Sequence, residues 1–502
     1  MVTPEPRLAE VSELLITLDS TAAEPLHYQL YRGIREAILA GRLPPGVRVP
    51  STRRLAQDLG VSRSTALVAF DQLVAEGYLV GAVGSGSYVA RVIPDHLLQA
   101  QPGEPTAIPR ANCPPRVAAR NQELRRFLHV PSGLYPRAFY TGVPPVDQFP
   151  WPLWSRLASR RDRCLPRRQL YHGSAAGYPP LRDAIAAHLA ASRGVRCTPD
   201  QVLVLSSAQE ALELVCRVLL DPGDAVWLED PGYLGSRGAL TTAGARIIPV
   251  PVDGEGLSVD AGLAADPHAR LALVSPSHQY PTGVTLSLER RLALLQWAGR
   301  TGAWIVEDDY DSEYRYAGRP LTALQGLDPA ERVLYIGSFN KTLFPALRIG
   351  YLVAPRNLVE WLLPMRRIGG QHTPTLDQMT LADFMVEGHY ARHLRRLRTV
   401  CRERRDTLLV ALKRELPDLL EITRPETGLH TVGWLPHGMA DRRVSAVALE
   451  HGVEAAALST YYIGPCARGG LLLGYGGVTP QAIEEGVRRL AAAFQAVELE
   501  PS

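Results

Sequence analysis

Residues 333–351 read VLYIGSFNKTLFPALRIGY, and their reading decides the fold of most of the chain. The apolar run 333–336 has the length of a buried strand, and Lys341 follows just after it. Working outward, comparable runs recur at 202–205, 225–228, 271–274 and 304–306, with helical patterns between them. Strands that alternate with helices predict a mainly parallel sheet with crossover helices, an α/β fold. Lys341 then emerges at the carboxyl end of a strand, where ligands of such sheets bind.

Composition singles out the same residue. Of 54 basic residues only Lys341 and Lys413 are lysines. A lysine kept in so arginine-rich a chain points to something a guanidinium cannot do, such as forming an imine through a primary amine. Lys413 sits in an amphipathic, solvent-facing pattern, which leaves Lys341 as the candidate.

Pyridoxal phosphate needs such a lysine, an acid beside its pyridine nitrogen, a phosphate cradle and an aromatic ring over its face. Asp308, or the Asp308–Asp309 pair, follows the strand at 304–306 and supplies the acid, and Tyr310 is placed to bond the ring hydroxyl. Ser206, Ser207, Ala208 and Gln209 lie between a strand and a helix, so their backbone N–H groups suit a phosphate, with Ser338 and Arg348 completing the cradle. Tyr233, in EDPGY, is the stacking ring. Each piece alone is weak, since a lone tyrosine is usually core and a serine-rich turn is usually a helix cap. Together, each at the end of its own strand, they predict a cofactor pocket.

The chain begins differently. Between residues 32 and 63 seven arginines face two acids, whereas the net charge of the whole chain is only +3. Pro25 opens a helical pattern ending at Gly41, Ser51 caps a second short helix, and Ser62 caps a third that runs to Glu76. Residues 78–90 then read as a small hairpin around Gly84. Three helices and a wing predict a winged helix-turn-helix over 20–90 whose third helix enters the major groove of double-stranded DNA. Ser62, Arg63, Ser64 and Thr65 would do the reading, with Arg53 on the preceding helix as a partner. Taken alone, the serines are caps and the arginines solvated; the full succession of elements reverses that reading.

Residues 91–133 hold seven prolines and are expected to be a linker, which leaves 134–495 as the large domain. No apolar run reaches the length of a membrane span, and the first residues lack a basic, apolar leader, so a cytoplasmic protein without membrane partners is expected. The six scattered cysteines read as reduced core thiols, and His389 and His393 have no third ligand, so no metal is predicted. The arginine-rich stretch 392–405 reads as a solvated helix face.

The segment LPPGVRVPSTRRLAQDLGVSRSTALVAFDQLVAEGYLVGAVGSGSYV closely resembles the DNA-binding head of the GntR family of bacterial regulators. The remainder, from about Gly133, resembles class I aminotransferases of pyridoxal-phosphate fold type I, and the combination resembles the MocR subfamily. That resemblance implies DNA contacts at Arg53, Ser62, Arg63, Ser64 and the wing Gly84. It also implies a homodimer in which each head crosses to the partner's large domain, with Tyr171 reaching the neighbouring subunit's phosphate. A regulator responding to pyridoxal phosphate, alone or with an amine, and controlling its synthesis is the leading expectation. Control of amine or amino-acid catabolism of GABA or taurine type, or an active aminotransferase with a DNA-binding appendage, are the alternatives. The chain departs from the aminotransferase pattern in three places, one of them Asn340, where a serine is frequent. Tyr280 replaces the asparagine of Asn-Pro-Thr-Gly, so His278 or Gln279 must supply that loop's polar contact. GLLLGY lacks the arginine that holds a substrate carboxylate, so no catalytic set is assigned. Gly235 stands where GABA-responsive relatives carry arginine.

Overall fold

The computed structural model describes residues 16–82, 86–93, 116–125, 137–167, 171, 173–318 and 321–499, and it divides into two units at residues 116 and 117. Gly84 and most of the proline-rich stretch lie outside the described residues.

In the first unit, α1 (Leu26–Leu39), α2 (Thr52–Asp58) and α3 (Arg63–Ala75) match the expected helices. Ser51 accepts a hydrogen bond from the Arg54 backbone N–H and Ser62 from that of Thr65, each satisfying an amide the helix start leaves unpaired. Gly60 takes a positive φ of 67° between α2 and α3, a conformation a side chain disfavours. Strands β1 (Arg48–Val49), β2 (Leu79–Ala82) and β3 (Gly86–Val89) form an antiparallel sheet in the order β1-β3-β2. Leu30, Ile34 and Ile38 of α1 pack on Leu55, Ala66, Phe70 and Leu73, and Ile93 joins this core beyond the expected hairpin end.

The second unit opens with α4 (Ala119–Leu124), a short helix within the proline-rich stretch that showed no sustained period. Its framework is an eight-stranded sheet of β4 (Val202–Leu205), β5 (Ala225–Asp230), β6 (Arg246–Asp253), β7 (Gly256–Leu257), β8 (Leu271–Val274), β9 (Trp304–Asp309), β10 (Val333–Ser338) and β11 (Gly350–Val353). Their order is β4-β11-β10-β9-β8-β5-β6-β7. From β6 through β10 neighbouring strands are parallel, while β11 runs antiparallel to both β10 and β4. The central strands β8, β9 and β10 are buried along their whole length, as a sheet covered by helices on both faces requires, which explains their apolar runs. Sequence reading passed over β6 because Pro249 and Pro251 interrupt it, and over β11 because it is short and glycine-led.

α5 (Ala208–Leu219) follows β4 directly. Further on, α6 (His389–Glu415) and α7 (Pro480–Leu499) pack together beside a second antiparallel sheet of β12 (Glu421–Ile422), β13 (His430–Trp434), β14 (Ala456–Ala457) and β15 (Gly470–Gly474). The expectation of a solvated arginine face on α6 holds for Arg392, Arg395, Arg396 and Arg402, which are exposed, and is corrected at its end. Arg404 and Arg405 are buried: the former donates to the carbonyl of Gly476 and to Asp147, the latter to the carbonyl of Pro425 while lying over the Tyr316 ring. A guanidinium can be buried this way because its fork satisfies several acceptors at once. His389 and His393 do not converge, since His389 meets Glu387 and Arg392 while His393 is buried against the carbonyl of Thr342. Among the described cysteines all are free; Cys216 and Cys401 are core residues, but Cys164 is exposed.

Candidate functional site

The carboxyl ends of β4, β5, β9 and β10 bring the predicted residues of the second unit towards one region. Lys341 lies three residues beyond β10, and its Nζ donates to the carbonyl of Gly142 at 2.7 Å. Gly142 has a φ of 77°, and a Cβ there would stand 2.5 Å from that Nζ, so only glycine lets the chain approach the amine. Desolvation pushes the Lys341 ammonium below the ordinary lysine range, against the opposing pull of Asp311 and Asp308. Sequence reading missed Gly142, because its contact joins segments 199 residues apart.

β9 separates the two aspartates that sequence left as a pair. Successive side chains of a strand point to opposite faces. Asp309 accepts from Arg193 Nε at 2.8 Å and from the Tyr335 hydroxyl at 2.5 Å, and Arg193 also donates to Ser277 at 2.5 Å. Asp308 remains buried with its Oδ1 lacking any hydrogen-bond partner. Burial pushes its carboxyl up to about 7, with the charge of Asp309 adding to the shift and that of Lys341 opposing it. An unmet buried acceptor near a half-buried amine calls for a cationic or proton-bearing group between the elements that hold them.

Beyond β9, Tyr310 and His278 share a hydrogen bond of 3.0 Å, and His278 Nδ1 lies 3.0 Å from Asp311. Of the two candidates for the altered loop contact, His278 is therefore the one that reaches Tyr310. Gln279 instead donates to the carbonyl of Pro231 just beyond β5 and accepts from Thr282 within its own loop. His278, Asp311 and His430 bring ligand-type atoms within 4.8 Å of one another. Tyr280 meets Thr141 and Tyr461 through its hydroxyl, at 3.1 Å each, and Tyr233 packs edge-on against it with ring centres 5.9 Å apart.

The expected anion cradle lies at the start of α5. Ser207 caps the helix by accepting from the Glu210 amide at 3.1 Å, and Gln209 donates to the carbonyl of Gly235. A Cβ on Gly350 would lie 2.8 Å from the Ser207 backbone, so this glycine lets β11 lie against the helix start. Ser206, Ser207, Gln209, Arg217, Arg348 and Arg366 line part of a cleft of about 470 Å³. Arg366 is already engaged by Glu210 and Thr373, and neither partner was visible in the sequence. The Ser338 hydroxyl accepts from the Asn340 amide, closing the turn that carries Lys341, and its own O–H stays able to donate. Tyr171 is 77% exposed and stays apart from this cleft within the chain.

In the first unit Arg53, Ser62, Arg63 and Ser64 are exposed, while Thr65 is half-buried. The hydroxyl of Ser62 also meets those of Ser64 and Thr65, at 2.7 and 2.8 Å.

Two families match the chain in register with these units. "Bacterial regulatory proteins, gntR family" covers residues 26–89, and "Aminotransferase class I and II" covers 167–490. The probable rhizopine catabolism regulatory protein MocR of Rhizobium meliloti is 40% identical, over 96% of this chain and 97% of that protein. The chain belongs to the MocR-type regulators. Other regulators of this build are alike over nearly their whole length. The pyridoxine biosynthesis transcriptional regulator PdxR of Corynebacterium glutamicum is 35% identical over 93% of this chain and 95% of its own. The large unit of this MocR-type chain is similar to the solved structure of LysN, the α-aminoadipate aminotransferase of Thermus thermophilus, complexed with N-(5'-phosphopyridoxyl)-L-leucine. That match has a TM-score of 0.67 and 31% identity, and it covers 76% of this chain and 95% of LysN. The chain is thus a transcription regulator of GntR type with an aminotransferase-like domain. No helix among its described residues is long and apolar enough to cross a membrane.

Proposed function

We propose that this regulator binds double-stranded DNA as a cytoplasmic homodimer, holds pyridoxal phosphate in its large unit, and controls the supply of that cofactor. The observation that carries the reading is the half-buried Lys341 amine within electrostatic reach of the buried Asp308 carboxyl, whose Oδ1 has no hydrogen-bond partner among the described residues. When bound, the cofactor supplies an aldehyde that condenses reversibly with primary amines. Lys341 offers an amine whose lowered proton affinity leaves it more nucleophilic, and Asp308 offers a carboxylate for the ring nitrogen. The amides at the start of α5, with Arg348, suit the phosphate, while Tyr310 and Tyr233 suit the ring hydroxyl and the ring face. Tyr171, exposed in one chain, is assigned to the partner's phosphate.

Likeness to PdxR supports control of cofactor synthesis. The higher identity to a probable rhizopine catabolism regulator supports a second reading, in which an amine together with the cofactor is the signal. A titration of the purified chain with pyridoxal phosphate separates them, recording visible absorption and affinity for its own upstream DNA. The first reading expects DNA affinity to follow the cofactor alone, and the second expects it to change only when an amine is added. Lys341→Ala is expected to abolish the protein-bound absorption and leave basal DNA binding intact. Unchanged absorption in that variant would remove Lys341 from the site, and steady turnover of an amino donor with a keto acid would make the chain an enzyme.

A further inference from the structure

α3 carries a feature that polar DNA contacts do not use. At about 100° per residue, Ala66, Ala69, Phe70 and Leu73 face the core, which turns Ser64, Val68 and Asp71 directly outward with Leu67 alongside. Leu67 is 50% exposed and Val68 48%, and neither joins the core of the unit. The hydroxyls nearest them are already used, since Ser62 meets both Ser64 and Thr65. Arg53 on the preceding helix and Arg63 at the start of α3 are exposed and carry no ion pair among the described residues.

We propose that Val68, flanked by Leu67, reads thymine methyl groups in the major groove, beside a base or phosphate held by Arg63. The inference rests on the DNA-binding reading and names what that helix selects. Guanidinium groups around the face suit a polyanion. The thymine C5-methyl is the apolar group that the major-groove edge of a base pair displays. A protein partner fits worse, because two half-exposed side chains fall far short of the roughly 800 Å² per partner that a stable protein interface buries.

The test starts by selecting duplexes that the full-length protein retains from a random-sequence DNA library. Each thymine of a retained duplex is then replaced in turn by deoxyuridine, which lacks only the methyl. One or two positions are expected to weaken binding about four-fold each, the worth of one buried methyl. Val68→Ser is expected to bind thymine and uracil duplexes alike at the main position, and Leu67→Ser to blunt the effect at its neighbour. Both side chains are exposed and outside the core, so the fold tolerates these changes. A retained duplex with no methyl-sensitive position, or methyl sensitivity unchanged in both variants, overturns the inference. A protein that retains no duplex overturns the DNA-binding reading itself.

Discussion

Asp308 and Asp309 are neighbours with opposite environments, and the difference between them is a matter of one strand pleat. Asp309 is neutralised by Arg193, whereas Asp308 Oδ1 meets no donor among the described residues. A carboxyl whose folded pKa is raised to about 7 favours the folded state most below its ordinary value of 3.8, and that advantage is lost as pH rises through about 7. Asp308→Asn is therefore expected to make the cofactor-free protein more stable at pH 8, by on the order of 2–4 kcal/mol, and to leave it almost unchanged at pH 4. Urea unfolding at the two pH values checks this, and a variant less stable than the parent at pH 8 would contradict it. The same variant is expected to bind pyridoxal phosphate more weakly, since its amide cannot neutralise a ring cation. In the first unit, Arg63→Ala is expected to cost about 1–3 kcal/mol in specific DNA binding if the guanidinium grips a base, read as a Kd at fixed salt.

Elements place these residues, and two helix starts matter most. Ser62 caps α3 and ties together the hydroxyls of Ser64 and Thr65. Ser62→Ala is expected to destabilise the first unit by about 1 kcal/mol and to weaken DNA binding further by fraying the end of α3. Thermal unfolding together with a DNA titration separates the two effects. At α5, Gly350→Ala would drive a methyl into the Ser207 backbone. It is expected to displace the helix start and lower affinity for pyridoxal phosphate, while Gly254→Ala, where no atom stands within 4 Å of the added carbon, leaves affinity unchanged. Equal affinity in both variants would show that the start of α5 does not hold the phosphate.

At the scale of the whole molecule, the proposed homodimer is read from its mass and from Tyr171. Sedimentation is expected to give twice the 54.9 kDa of one chain. Tyr171 is 77% exposed, so Tyr171→Ala should leave the fold intact. If its hydroxyl serves the partner's site, the variant loses cofactor affinity without losing dimer mass. Unaltered affinity would return Tyr171 to the surface.

The sequence by itself determined the three helices and hairpin of the head, the run of parallel strands, and the position of Lys341 after β10. These are local properties: caps, glycine stops and apolar runs act over a few residues, and the patterns at 202–205 and 333–336 are read without knowing what lies across the sheet. Only the tertiary structure decided which aspartate is free, that Gly142 meets Lys341, that His278 serves Tyr310, and that Arg404 and Arg405 are buried. Each of those rests on a partner tens to hundreds of residues away. The charge or contact of a side chain is set by what packs against it, and no local pattern records that neighbour.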